Sequence, residues 1–141
     1  MGKINVLVLC TGNSARSQMA EALLRKFGSA KFNAYSAGTD PKGINPFTVA
    51  VLKEIGIDIS DQRSKNLNEY LGTLPVHYLI TVCGDADAKC PSVWPGVLKR
   101  MHWPFEDPAA VHGTDEEKLT QFRKVRDQIE YKIRAWLAEQ P

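Results

Sequence analysis

The stretch KINVLVLCTGNSARS, Lys3–Ser17, joins an apolar run to a helical pattern and decides the fold. Its first part, Lys3–Cys10, is continuously rich in β-branched and leucine residues, as expected of a strand buried on both faces of a sheet. A helix is predicted from about Ser14 to Phe27, and Gly28 is its expected end. Its apolar face has helical spacing and consists of Met19, Leu23 and Phe27. The stretch therefore predicts the first strand-to-helix turn of an α/β protein.

Further strands and helices alternate along the rest of the chain. The other predicted strands are Lys31–Gly38, Val76–Cys83 and Leu98–Trp103. A helix is predicted with Asn45 as N-cap, Pro46 as first helical residue and Gly56 as C-cap. Alternation of this kind predicts a four-stranded parallel sheet flanked by helices on both faces.

A long helix closes the chain. Thr114 and Glu117 have the spacing of a capping box at its start. Its apolar residues form one stripe at helical spacing: Phe122, Val125, Ile129, Ile133 and Trp136. We therefore expect this helix to pack lengthwise against the rest of a single domain that spans residues 1–141.

The composition is that of an ordinary globular protein. Of 141 residues, 43% are hydrophobic and 24% are charged, and the formal net charge is +2. The charge is too small and too dispersed to indicate a nucleic-acid partner. No apolar run approaches the ~20 residues of a membrane span, so no membrane partner is expected. The first residues lack the features of a cleaved signal, which predicts a cytoplasmic protein.

Three cysteines, Cys10, Cys83 and Cys90, are an odd number for a framework of structural disulfides. Reduced, reactive or metal-bound thiols are the remaining readings. A zinc site with His102 or His112 ranks low, because zinc ligand pairs usually have the closer Cys-x2–4-Cys spacing and no second pair exists. Cys83 and Cys90 could also be two unrelated core thiols.

The turn after Cys10 combines features that suit a tetrahedral oxyanion. In parallel α/β sheets, ligands bind at the carboxyl ends of the strands, where Cys10 lies. The following helix N-terminus offers backbone N–H groups and a positive dipole end, which also favour a cysteine thiolate and lower its pKa. Arg16 could curl over the same centre and contact two oxygens with its planar fork. This combination favours a nucleophile in an anion cradle over a plain turn beside a buried thiol.

The predicted cradle comprises Thr11, Gly12, Asn13, Ser14, Ala15, Arg16 and Ser17. Gly12 is expected to adopt a backbone conformation closed to other residues, and Asn13 to brace the loop through its amide. Ser17 is placed to donate its hydroxyl to the Cys10 sulfur. The stretch lacks the Gly-Lys-Ser/Thr ending of a nucleotide-binding P-loop, so it is not one.

CTGNSARS resembles the Cys-x5-Arg-Ser loop of the low-molecular-weight protein tyrosine phosphatases, and YSAGT (Tyr35–Thr39) is similar to their second strand. The general acid of that family is an aspartate followed by proline late in the chain. The resemblance implies that Asp107, in FEDPAA, has this role here. Without the cysteine loop, Asp-Pro would indicate no more than a turn.

VCGDADAKCP and HWPFEDPA resemble one branch of that fold, the thioredoxin-coupled arsenate reductases, and this likeness covers essentially the whole chain. Phosphatases usually have aromatic residues after Asp-Pro, where this chain has Ala109 and Ala110. Many also have a second loop cysteine where Ala15 stands. Both departures favour a small inorganic oxyanion over a protein substrate.

The resemblance implies a mechanism with three thiols. Cys10 attacks arsenate while Asp107 protonates the leaving hydroxyl, Cys83 then attacks the Cys10 sulfur, and Cys90 finally attacks Cys83. It implies no bound cofactor, with external thioredoxin or a glutaredoxin system as reductant. The alternatives are a phosphatase that acts on phosphoesters through Cys10, Arg16 and Asp107, and a redox sensor without enzymatic activity.

Some of these relatives bind potassium near the loop, through residues that match Asn13, Glu21, Ser36 and a later aspartate. In this chain the last position falls in SKNL, where Lys65 and Asn66 stand and no carboxylate is present. No bound metal is therefore predicted.

Overall fold

The computed structural model describes residues 2–84, 94 and 96–140. Within these residues, four parallel strands form one sheet in the spatial order second, first, third, fourth. The strands are β1 (Ile4–Cys10), β2 (Phe32–Gly38), β3 (Tyr78–Thr81) and β4 (Lys99–His102). The predicted parallel sheet of four strands is confirmed, with its helical flanks.

The helices of the described residues pack around this sheet. They are α1 (Arg16–Gly28), α2 (Pro46–Lys53) and α3 (Asp115–Ala138), with 3-10 turns at Leu67–Glu69 and Pro108–Ala110. Helix α1 packs on β1 and β2, and α3 packs on both α1 and α2. The buried run from Val6 to Cys10 accounts for the continuous apolar sequence, because a strand covered on both faces has no polar side.

The helix starts follow the sequence closely. The Asn45 side chain accepts a hydrogen bond from the Phe47 backbone N–H at 2.8 Å, and Pro46 is the first helical residue. Thr114 and Glu117 form the predicted capping box at the start of α3. The stripe of α3 is buried as expected, at Phe122, Val125, Ile129, Ile133 and Trp136.

The helix ends differ from the predictions. Gly28 is the last residue of α1 and does not stop it in a left-handed turn. A Cβ at Gly28 would lie 3.1 Å from a Leu137 methyl group, so the glycine lets α3 approach α1 closely. The C-cap of α2 is Glu54, and Gly56 follows two residues later with a φ of +81°. Phe27 is 36% exposed rather than buried, while the guanidinium carbon of Arg134 lies 4.9 Å from its ring centre.

The strand order places two cysteines at one edge of the sheet. Adjacent strands β1 and β3 run parallel with Leu9 opposite Thr81, so their carboxyl ends lie together. Cys10 ends β1, and Cys83 follows the end of β3 by two residues. In the part of the chain that the structure describes, no helix is long and apolar enough to cross a bilayer.

Candidate active site

The loop between β1 and α1 is held from outside by the segment that follows β2. Backbone N–H groups of that segment donate hydrogen bonds of 2.9–3.2 Å to four carbonyl oxygens of the loop. These carbonyls are those of Cys10, Thr11, Gly12 and Ser14. In a planar trans peptide the N–H points opposite to the carbonyl. The N–H groups that follow these carbonyls therefore point away from that segment. That of Thr11 hydrogen-bonds the Cys10 sulfur.

Asn13 gives the loop its sharpest bend. It is fully buried and has a φ of +47°, a left-handed conformation that asparagine tolerates better than most residues. Its amide donates to the hydroxyls of Ser17 at 2.8 Å and Ser36 at 3.0 Å, which is the predicted bracing. The prediction that Gly12 has a backbone conformation closed to other residues was wrong, because the left-handed residue is its neighbour Asn13. A Cβ at Gly12 would instead stand 3.4 Å from the Lys42 side chain.

Cys10 and Cys83 lie together in the loop. Both thiols are nearly buried, with 4% and 6% residue exposure, and their side chains share a hydrogen bond. The Thr11 hydroxyl lies 3.3 Å from the Cys83 sulfur. The hydrogen bond with Cys83, followed by burial, raises the pKa of Cys10, although Arg16 and the Thr11 N–H act in the opposite direction. The predicted lowering of this pKa is therefore wrong for the arrangement described here.

Arg16 connects the loop to the predicted acid. It begins α1, and its guanidinium donates to the Phe105 carbonyl at 3.0 Å. Another of its nitrogens lies 3.9 Å from a carboxylate oxygen of Asp107. A guanidinium has five N–H donors, so these contacts leave donors for an oxyanion in the loop. The Arg16 side chain is 14% exposed, which favours strong electrostatic interactions.

Asp107 lies at the rim of the site. Its carboxylate accepts the Ala109 backbone N–H at 3.0 Å and thereby caps the 3-10 turn Pro108–Ala110. Its side chain is 47% exposed, so it is accessible to water. Asp107 can therefore both cap a turn and serve as the predicted proton donor, because the turn sets the position of its carboxylate.

The structure brings Cys10, Arg16, Asp107 and Cys83 together at one edge of the sheet. Ser17 accepts the Asn13 amide, and its donation to Cys10 stays a prediction. Cys90 lies outside the described residues. The zinc alternative receives no support from the described part of the chain, where no three His, Cys, Asp or Glu side chains cluster. His102 instead hydrogen-bonds the Thr81 hydroxyl at 2.8 Å.

Sequence reasoning missed two residues that shape the loop. A Cβ at Gly38 would lie 2.5 Å from the Thr11 carbonyl oxygen, so only glycine fits beside the loop. Gln18 is fully buried, and its amide donates to the Asn13 side chain at 2.9 Å and to the Arg63 carbonyl at 2.9 Å. A glutamine on the buried face of a predicted helix was the available signal, because a buried amide needs partners.

The residues beneath the loop do not fit a bound potassium ion. The Lys65 ammonium lies 3.6 Å from Glu21 Oε1, and the Ser36 hydroxyl donates to that same oxygen at 2.6 Å. A second cation at this carboxylate would face the ammonium without a further carboxylate to offset the repulsion. Neither Lys65 nor Asn66 supplies a carboxylate at this place.

The comparisons with known proteins place the chain in a family. Residues 5–140 match the family model described as "Low molecular weight phosphotyrosine protein phosphatase". The chain belongs to this family, and the resemblance drawn from its sequence is confirmed.

Within the family, the chain is similar to proteins named arsenate reductase. One from Halalkalibacterium halodurans is 45% identical over 136 residues, which are 96% of each chain. Another, from Bacillus licheniformis, is 46% identical over 134 residues, which are 95% of each chain.

Solved structures show the same likeness. "An arsenate reductase in the phosphate binding state" has a TM-score of 0.80 at 30% identity, with 96% of this chain and 98% of that chain covered. A thioredoxin-dependent arsenate reductase from Corynebacterium glutamicum has a TM-score of 0.71 at 28% identity, with 98% of this chain and 61% of that chain covered. A low-molecular-weight tyrosine phosphatase from T. tengcongensis has a TM-score of 0.80 at 26% identity, with 98% of this chain and all of that chain covered.

Proposed function

We propose that this chain is a single-domain arsenate reductase that produces arsenite through Cys10, Cys83 and Cys90, with thioredoxin as its external reductant. The observation that carries the proposal is the hydrogen-bonded pair of buried thiols, Cys10 and Cys83, inside an oxyanion cradle. A phosphatase of the same fold needs one nucleophilic thiol, whereas a two-electron reduction needs a second thiol beside it. The relatives named arsenate reductase support the same substrate.

Arsenate binds in the loop through backbone N–H groups and Arg16. The N-terminus of α1 adds the positive end of its dipole, which favours an anion at this place. The fork of Arg16 contacts two arsenate oxygens, and its contacts with Phe105 and Asp107 fix its direction. Backbone N–H groups and a single guanidinium suit an inorganic oxyanion.

In the first step, the Cys10 sulfur forms a bond to arsenic and one hydroxyl leaves as water. Since the pKa of Cys10 is raised, the thiol proton must be lost, and an oxygen of the arsenate dianion accepts it. Asp107 gives a proton to the departing hydroxyl. The product is a thiol ester of arsenic(V) on Cys10, held by the same N–H groups.

In the second step, Cys83 attacks the Cys10 sulfur. A sulfur–sulfur bond forms, the sulfur–arsenic bond breaks, and its electron pair reduces arsenic(V) to arsenic(III). Arsenite takes up protons and leaves, while the two cysteines are left as a disulfide. Because the Cys10 and Cys83 side chains interact, the Cys83 sulfur is placed for this attack.

In the third step, Cys90 attacks Cys83 and releases Cys10 as a thiolate. The resulting Cys83–Cys90 disulfide is reduced by the dithiol of thioredoxin, which becomes oxidised and completes the electron balance. A glutaredoxin system is the alternative reductant, and the two differ in whether glutathione is required.

The test is arsenite release by the purified chain with arsenate, thioredoxin, thioredoxin reductase and NADPH. We expect many arsenite molecules per enzyme, and none when thioredoxin is omitted. Turnover with glutaredoxin and glutathione, but not with thioredoxin, would reassign the reductant. Hydrolysis of p-nitrophenyl phosphate without arsenate reduction would instead favour the phosphatase, whose support is the family match and the shared loop. Absence of both activities would favour the redox sensor.

A further inference from the structure

A lysine lies buried beneath the loop, where the proposed mechanism does not use it. Lys65 is 6% exposed, and its ammonium donates to the Arg63 carbonyl at 2.8 Å. It also lies 3.6 Å from the Glu21 carboxylate, which is itself 2% exposed. Lysine and glutamate are rarely buried to this degree unless they are paired. The burial of both side chains therefore distinguishes this pair from an ordinary surface ion pair.

The ion pair is connected to the loop by a chain of hydrogen bonds. Glu21 Oε1, the oxygen nearest Lys65, accepts the Ser36 hydroxyl at 2.6 Å. The Ser36 oxygen in turn accepts the Asn13 amide at 3.0 Å. Asn13 is the left-handed residue that bends the cradle, so the charge of Lys65 is three contacts away from the oxyanion site.

A second connection runs through the backbone of the lysine. The Lys65 N–H donates to Asn13 Oδ1 at 3.0 Å, and the Lys65 carbonyl accepts the Gly38 N–H at 2.8 Å. Asn13 is part of the loop, and Gly38 packs directly against it. Lys65 thus holds Asn13 from two sides, once through its main chain and once through Glu21 and Ser36.

The Glu21 carboxylate has a different partner on its other oxygen. Arg25 lies 2.7 Å from Glu21 Oε2 but is 44% exposed, so its charge is screened by solvent. The ammonium of Lys65 is a buried cation beside Oε1 and compensates the negative charge of that oxygen. The same oxygen accepts the Ser36 hydroxyl. Removal of Lys65 would leave Oε1 without this compensation in a buried place, and buried charges are costly when unpaired.

We propose that the Lys65 ammonium is a built-in cation that positions the oxyanion loop through Glu21, Ser36 and Asn13, in place of the potassium ion that some relatives bind. Lys65 is a positioning residue and does not touch the substrate. The proposal rests on the proposed function to the extent that the loop is the oxyanion site. Its tests use inorganic phosphate and thermal stability, so they do not depend on arsenate turnover.

The first test measures phosphate binding by calorimetry in Lys65→Met, with Lys124→Met as the matched control at an exposed position of α3. We expect the affinity of Lys65→Met to fall about tenfold, which is the scale of one lost buried polar partner, and the control to bind as the parent does. Unchanged affinity in Lys65→Met would overturn the proposal. If that variant does not fold, Lys65→Met/Glu21→Gln removes both buried charges and is measured instead. We expect the same loss there, and parental affinity would again overturn the proposal.

The second test measures the melting temperature in potassium chloride and in tetramethylammonium chloride at equal ionic strength. The parent should melt at the same temperature in both salts, because its cation is covalently attached. Lys65→Asp supplies the missing carboxylate, and we expect it to melt higher in potassium chloride. A potassium-specific rise in the parent, or none in Lys65→Asp, would overturn the replacement of the ion by Lys65.

Discussion

The side chains of Cys10 and Cys83 share a hydrogen bond. Thr11, the residue next to Cys10, also contacts Cys83, and these two residues are 72 positions apart in the sequence. The parallel pairing of β1 with β3 produces this proximity, since Leu9 and Thr81 stand opposite each other near the ends of the strands. The hydrogen bond with Cys83, followed by burial, raises the pKa of the Cys10 thiol.

Replacement of Cys83 by alanine should lower the pKa of Cys10. The hydrogen bond with Cys83 is the largest cause of the raised pKa, and its loss leaves Arg16 and the Thr11 N–H with less opposition. A lower pKa means more thiolate at neutral pH, so Cys10 should be alkylated by iodoacetamide faster and at lower pH than in the parent. The measurement is the pH dependence of alkylation at Cys10, resolved by peptide mass spectrometry. A profile identical to that of the parent would show that the Cys83 thiol does not govern Cys10.

Replacement of Cys10 by serine should abolish arsenate reduction and any phosphatase activity. A hydroxyl is a far weaker nucleophile than a thiolate when no base is available to activate it. Phosphate should still bind to the variant, because the backbone N–H groups and Arg16 remain. Calorimetry with phosphate is therefore the control, and turnover in the purified variant would remove Cys10 from its assigned role.

Replacement of Arg16 by lysine should reduce the rate of arsenate reduction although the charge is kept. A point charge cannot supply two aligned hydrogen bonds, and the loss of one well-placed donor costs on the order of 10²–10³ in rate. The change also removes the planar group that contacts Phe105 and Asp107. Arg134→Lys, at a 61% exposed side chain, is the matched control and should behave as the parent. Near-parental kinetics in Arg16→Lys would mean that Arg16 does not hold the oxyanion.

Replacement of Asp107 by asparagine should slow the step in which hydroxide leaves arsenic. A positioned general acid contributes roughly 10²–10⁴ in rate, and an amide cannot supply the proton. The asparagine can still cap the turn through its side-chain oxygen, so the fold should be kept. Single-turnover arsenite release reports the effect, with Glu106→Gln at the exposed neighbouring residue as control. An equal loss in both variants would assign the effect to the surface charge and not to Asp107.

The sequence was sufficient for the existence of the four strands and for the starts of α2 and α3, because these depend on local patterns. The continuous apolar run of Val6–Cys10 and the capping box at Thr114 are such patterns. The end of α1 could not be read in this way. Gly28 looked like a stop, yet it is the last helical residue, and its missing Cβ leaves room for Leu137 of the distant α3. Phe27 likewise lies outside the core, where Lys26 and Arg134 cover its ring.

The residue types of the site could be predicted, but not the state of its thiols. Cys10, Arg16 and Asp107 meet as expected, since strand ends and helix starts determine where they lie. The raised pKa of Cys10 arises from Cys83, a contact between distant parts of the chain that a helix dipole argument does not include. In the sequence, Lys65 attracted attention only because it stands where a carboxylate was sought. Its burial against Glu21 depends on the three-dimensional structure.

The three-cysteine relay can be tested against the phosphatase by two substitutions. Cys83→Ser keeps the nucleophile and the acid but lacks the thiol that resolves the Cys10–arsenic adduct, so it should release no arsenite. Cys90→Ser should release one arsenite per enzyme and then stop as a Cys10–Cys83 disulfide, because no third thiol passes the oxidation outward.

Arsenite per enzyme over time distinguishes these outcomes, and mass spectrometry identifies the trapped disulfide. A phosphatase hydrolyses its phosphocysteine with water and needs neither thiol, so both variants should keep at least whatever p-nitrophenyl phosphate activity the parent has. That activity is therefore the internal control for folding. If both variants reduce arsenate repeatedly at the parental rate, Cys83 and Cys90 have no part in electron transfer, and the contact of Cys83 with Cys10 is one of core packing alone.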